Sequence, residues 1–187
     1  SFIGYSAAFP TLLTTQFPEV TVSLAFLGAL LGAFSRPVGG TIADRFGGAR
    51  VAVASFALMG LAAGSAILAL TLHSFALFLG SFLVLFIGSG IGNGATYRMI
   101  PAVFRAGVRD TDELAVARRS AAGCIGIAGA VGAVGGFLVP RGFAMSSTAF
   151  DSLVPAIGVF IGAYVLMAAL TWAVYLRPGA RLASEGI

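Results

Sequence analysis

Apolar residues fill this chain in six long blocks separated by short polar interruptions: residues 2–16, 22–43, 51–72, 74–100, 120–139 and 154–176. The hydrocarbon core of a bilayer is about 30 Å thick, and an α-helix crosses it in about 20 residues. The pattern therefore predicts six membrane-crossing helices, the first of them short at its start. The interruptions are small. Residues 17–19 end the first block, 44–50 join the second to the third, and His73 stands alone between the third and fourth. Residues 104–119 form the longest polar stretch, and 140–152 join the fifth and sixth blocks. No soluble domain or linker fits between the blocks, so residues 1–187 are expected to form a single all-α membrane bundle.

Composition narrows the class further. Of 187 residues, 58% are hydrophobic and 10% charged, whereas soluble domains carry about 25% charged residues. A soluble fold of this size has no way to hide so much apolar surface. Soluble enzyme, nucleic-acid module and disordered tail are poor readings. The single Cys124 lies within an apolar block, which leaves no disulfide framework and no metal-ligand spacing. Neither a cofactor nor a metal is expected.

Charge then gives orientation. All eleven positive residues are Arg, and all but Arg36 stand at or near block ends instead of along one face, so the basic balance reads as topology and not as a nucleic-acid surface. Helix alternation puts Arg45, Arg50, Arg105, Arg109, Arg118, Arg119, Arg177 and Arg181 on one side. The other side holds Arg141 with Glu19, Asp151 and His73. The Arg-rich side is expected to be cytoplasmic, with the C-terminus there. The chain opens at Ser1 already inside an apolar stretch, which leads to the expectation of a preceding, missing half.

Four features stand out as candidates for chemistry. Arg36 lies eight residues before Asp44, about 12 Å deeper along a helix. An intramembrane Arg costs at least about 2.5 kcal/mol on insertion scales and ordinarily faces a cavity with a partner. No acidic residue of the chain lies at that depth, so the partner is either in the missing half or is a substrate. A planar, permanently charged guanidinium suits bidentate oxyanions; backbone capping for packing is the bland alternative. Second, Gly40, Asp44, Arg45, Gly47 and Arg50 make a G-x-x-x-D-R-x-G-x-x-R turn, in which Asp44 can cap the next helix and pair with an Arg. Third, Gly88, Gly90, Gly92 and Gly94 alternate around Asn93, ahead of Tyr97 and Arg98. A dinucleotide loop would need a strand before it, and none is predicted; close helix packing is the expected role, with Tyr97 and Arg98 reaching the cytoplasmic interface. Fourth, Gly recurs every third residue from Gly123 to Gly135. Against a 3.6-residue helical period the glycines wind around the helix, making a slender rod that neighbours or a small substrate can approach.

The turn is similar to the cytoplasmic loop motif of the major facilitator superfamily. With the stretch from Phe34 to Gly40, the stretch from Gly92 to Pro101 and the Gly run, the chain resembles the nitrate/nitrite porter family of that superfamily. The resemblance implies helices seven to twelve of a twelve-helix transporter in the inner (plasma) membrane, with the start of helix seven missing. It implies that Arg36 is the helix-eight member of a pair of Arg residues clamping nitrate or nitrite, and that Gly126 and Gly129 lie near the substrate. The family's helix-seven aromatics align upstream of Ser1, so Tyr5 is read as packing or lining. Exchange of nitrate for nitrite is the favoured mechanism, since no acidic or His residue falls in a predicted helix interior. Nitrate/proton symport, a major facilitator carrier for another small organic anion, and a non-transporting remnant remain open. An enzyme is the weakest reading, with no carboxylate pair and no nucleophile set.

Overall fold

A computed structural model of the chain describes residues 2–19, 22–106, 108 and 110–178. The expectations placed on Arg109 and Arg181 lie outside these residues. Six α-helices follow in order: α1 (Phe2–Gln16), α2 (Ala25–Phe46), α3 (Gly48–Thr71), α4 (Phe75–Arg105), α5 (Thr111–Phe150) and α6 (Val154–Thr171). A single 3₁₀ turn, Val22–Leu24, leads into α2, and wider π-helical turns, Trp172–Leu176, extend α6. All but α1 are long and apolar enough to cross a membrane, α6 with its π-helical extension included. No strand occurs among the described residues.

The helix ends follow from local chemistry. Gly47 alone reverses the chain between α2 and α3, at φ 87°, where an L side chain is strained; its N–H closes α2 on the Ala43 carbonyl. His73 sits exposed in the α3–α4 turn, as expected, and the Ser74 hydroxyl accepts from the Leu77 N–H to cap α4.

Two expected loops are helix instead. Residues 111–119 form the first turns of α5, not part of a polar connection. The Asp110 carboxylate accepts from the Thr111 N–H, and Asp112 and Glu113 occupy the positive end of the helix. At the other end α5 runs through Pro140 to Phe150, so Arg141 stands on a helix and not in a loop. The connection shrinks to residues 151–153. Asp151 breaks the helix in the left-handed region at φ 49°. The Ser146 hydroxyl donates to the Ser152 carbonyl and accepts from the Ala156 N–H, tying α5 to α6. At 40 residues, α5 extends about 60 Å, twice the thickness of a bilayer core.

Two kinds of contact hold the helices. On one side of the bundle, aromatic rings from α1 and α4 fill the interior: Phe9 stacks on Phe82 with centroids 4.9 Å apart, and Phe78 lies 4.7 Å from Phe82. Tyr5 is buried among Phe82, Phe86 and Phe160, and its hydroxyl hydrogen-bonds that of Tyr164. That agrees with its reading as packing. On the other side, α2 lies against α4 glycine to glycine. A methyl group at Gly39 would collide with the Ile91 backbone, one at Gly90 with Ser35 and the Gly32 carbonyl, and one at Gly94 with the Arg36 carbonyl and, 3.0 Å away, the Gly40 nitrogen. The alternating glycines of α4 are thus packing residues. Backbone approach of this kind supplies dispersion contacts where lipid offers no hydrophobic drive.

Gly94→Ala is expected to lower the thermal unfolding temperature in detergent, since overpacking against fixed backbone costs about 1–3 kcal/mol. A methyl group at Gly60 meets open space, so Gly60→Ala should leave the transition unchanged or raise it slightly. Equal transitions for the two variants would contradict the packing described.

Candidate functional site

Arg36 occupies the middle of α2, and its backbone is fixed before its side chain is considered. Its carbonyl faces Gly94 at a distance only glycine allows, and the preceding Ser35 is buried against Gly90, its hydroxyl donating to the Gly32 carbonyl. Pro37, next in sequence, has no N–H to complete the helical ladder. α2 therefore presents Arg36 at a rigid point pressed on α4.

The side chain leaves the helix into a cleft of about 350 Å³ between α1, α2, α3, α4 and α5. Its guanidinium carbon lies 4.1 Å from the centroid of the Phe2 ring, a cation–π arrangement. Its Nε is buried and bonds to no described residue. An unsatisfied buried donor costs about 1–3 kcal/mol, more when charged. Asn93, Thr96 and Tyr97 of α4 and Gly129 and Gly132 of α5 line the same cleft. The Thr96 hydroxyl is turned back onto the Gly92 carbonyl. None of the lining residues is acidic. The arrangement is a positive, aromatic-walled cleft with spare N–H capacity, suited to a small anion.

The glycine run of α5 winds as its spacing implies. Gly129 faces the cleft, where an added methyl would stand 3.8 Å from the Tyr97 hydroxyl. Gly132 lines the cleft as well. Gly136 turns instead against Ile3 of α1, and the Gly135 carbonyl stands close to Gly4, although a methyl at Gly135 itself would meet nothing within 4 Å. Gly126 is exposed and absent from the cleft wall, and a methyl there would meet nothing within 4 Å. The structure thus brings Arg36 and Gly129 together and leaves Gly126 apart. Tyr97, expected at the interface, also lines the cleft. Its spacing of four from Asn93 carried that signal. Phe2 carried none, because its contact depends on how α1 crosses α2.

The expected loop motif separates into different roles. Asp44 does not cap α3, which begins after Gly47 with no side-chain cap. It does pair with an Arg, as expected, and that Arg is Arg98 of α4: Nε donates to one carboxylate oxygen at 2.7 Å and an NH2 group to the other at 2.9 Å. This bidentate bridge ties α2 to α4 on the exposed rim. Arg45 and Arg50 are exposed and form no ion pair with a described residue. Gly40 contributes its backbone, close against Gly94, and Gly47 the reversal.

No protein-family model matches the chain. It is 41% identical, over 95% of its length, to the nitrate/nitrite transporter NarU of Escherichia coli (strain K12). It is 40% identical to the nitrate/nitrite transporter NarU of Salmonella typhimurium, again over 95% of its length. Against the probable nitrate/nitrite antiporter NarK2 of Thermus thermophilus the identity is 32% over 96% of the chain. The chain spans 41%, 41% and 40% of the length of these three relatives. With the five apolar helices, these likenesses make it a multi-pass membrane protein.

Reversing one member of the rim bridge, by Asp44→Arg or Arg98→Asp, is expected to reduce the folded protein recovered on size exclusion. Combining the two reversals should restore most of the loss, because the bidentate attraction is rebuilt with its ends exchanged. A double variant no better than either single one would show that the bridge does not act by mutual attraction.

Proposed function

The chain belongs to the nitrate/nitrite porter family of the major facilitator superfamily, and from that premise we propose that it forms the C-terminal six-helix half of a nitrate/nitrite transporter working by alternating access. The other half precedes it. Its six helices correspond to helices seven to twelve, with the end of α6 at Arg177 on the cytoplasmic side of the cell inner membrane.

Arg36 is the anion-binding residue of this half. The observation that carries the reading is its buried Nε, which bonds to no described residue, in a cleft with no carboxylate among its described lining residues. Nitrate and nitrite are small, planar and singly charged, so one edge of the guanidinium can hydrogen-bond two of their oxygens in plane. Gly129 admits the ion without a side chain in the way, and Asn93 and Tyr97 offer further donors from α4. A second Arg from the preceding half completes the clamp. Two such cations repel when the site is empty, which opposes closure; a bound anion relieves the repulsion and lets the halves rock about it. The absence of acidic and His residues from the described cleft wall supports exchange of nitrate for nitrite over proton symport.

Nitrate-for-nitrite counterflow in liposomes, measured on the full-length transporter, tests this directly. Arg36→Lys should lower exchange at least about tenfold, since Lys keeps the charge but loses hydrogen bonds worth about 1.5–3 kcal/mol each to a charged partner. Unchanged exchange in that variant would remove Arg36 from the site. Wild-type nitrate uptake that appears only under a proton gradient would contradict exchange.

A further inference from the structure

α2 and α3 are joined by Gly47 and both pack along α4, but beyond the turn they touch one another little. Their divergence leaves a notch of about 400 Å³, separate from the Arg36 cleft apart from a shared Ser55 in the wall. Ile91 of α4 forms its floor; Ile42 and Phe46 of α2 and Ala54 and Leu58 of α3 are among its walls. The one charged residue lining it is Arg50, in the first turn of α3 beside the chain reversal. Arg50 is exposed and forms no ion pair with a described residue, and neither does Arg45 on the same turn.

We propose that this notch is a binding site for an anionic phospholipid of the cytoplasmic leaflet, with one acyl chain lying in the groove and the phosphate on Arg50. The dimensions agree. From Arg50 to Leu58 is eight residues, about 12 Å along the helix, and one leaflet contributes about 15 Å of hydrocarbon. An acyl chain can lie along a groove of this length and volume. The charges agree as well. The groove is apolar except at one end, and that end carries a cation without an ion pair to a described residue, at the level where lipid phosphates lie. A guanidinium there takes two phosphate oxygens at once. The site rests on the membrane reading of the chain and not on its substrate.

Native mass spectrometry of the full-length transporter, in detergent with added phosphatidylglycerol or phosphatidylcholine, tests the proposal. Wild type should retain one phosphatidylglycerol in preference to phosphatidylcholine. Arg50→Gln should weaken that retention about fivefold, the effect of one basic residue facing an anionic leaflet. Ala54→Trp, which fills the exposed wall, should abolish retention of the same lipid while the protein still elutes as one symmetrical peak. Equal retention of both lipids by wild type, or phosphatidylglycerol retention unchanged in both variants, would overturn the site. So would loss of the symmetrical peak in Ala54→Trp with Arg50→Gln binding lipid normally, which would assign the notch to protein packing.

Discussion

Charge in hydrocarbon is the constraint around which this bundle is arranged. A guanidinium about 12 Å along α2 from Asp44 is too deep to reach the interface easily, so it needs a polar neighbour or a cavity. The fold supplies a cavity and withholds the neighbour. Phe2 covers one face of the Arg36 guanidinium, and Nε is left without a bond from any described residue. The structure keeps this costly arrangement through its backbone. Gly94 against the Arg36 carbonyl and Gly90 against Ser35 leave α2 no freedom to rotate the residue away. The glycines and the cation thus form one device, the first fixing where the second stands.

The remaining charges show the contrast. Asp44 and Arg98 are paired and largely exposed, with side chains 46% and 64% accessible. There a bidentate bridge is screened by solvent and serves to hold α2 beside α4. Arg45 and Arg50 lie on the same rim. The bridge stands where water can reach, and so do Arg45 and Arg50, whereas Arg36 stands inside without an ion pair to a described residue. An unpaired charge inside a membrane bundle is the costly case. A bound anion would offset that cost, which is the role proposed above for nitrate and nitrite at Arg36.

Hydropathy alone marked Phe2–Gln16 and the start of α6 correctly, because there the apolar block and the helix end together. It missed residues 111–119 and 140–150 because hydropathy reports contact with lipid, while helix persistence depends on caps. Asp110 starts α5 outside the apolar block, and Ser146 with Ser152 ends it beyond Pro140. At the site, Arg36 was legible as a charge in an apolar block, and Gly129 as a missing side chain in a wound series. Gly126 belonged to the same series, yet which turn of α5 meets the cleft depends on how that helix crosses α1. The partner of Asp44 lies 54 residues away, beyond any local pattern. Tyr97 was read by depth, and its place on the cleft wall follows from the face it shares with Asn93.

The most direct measurement is the rate at which a thiosulfonate reagent labels Asn93→Cys, in the full-length transporter with Cys124→Ser and any other cysteines removed. Position 93 lies on the cleft wall beside Arg36 and leaves the guanidinium intact. The expected result is labelling from the aqueous phase that nitrate and nitrite slow strongly and sulfate does not. Labelling at one rate with and without nitrate would contradict a nitrate site at Arg36, and so would a cysteine that no aqueous reagent reaches.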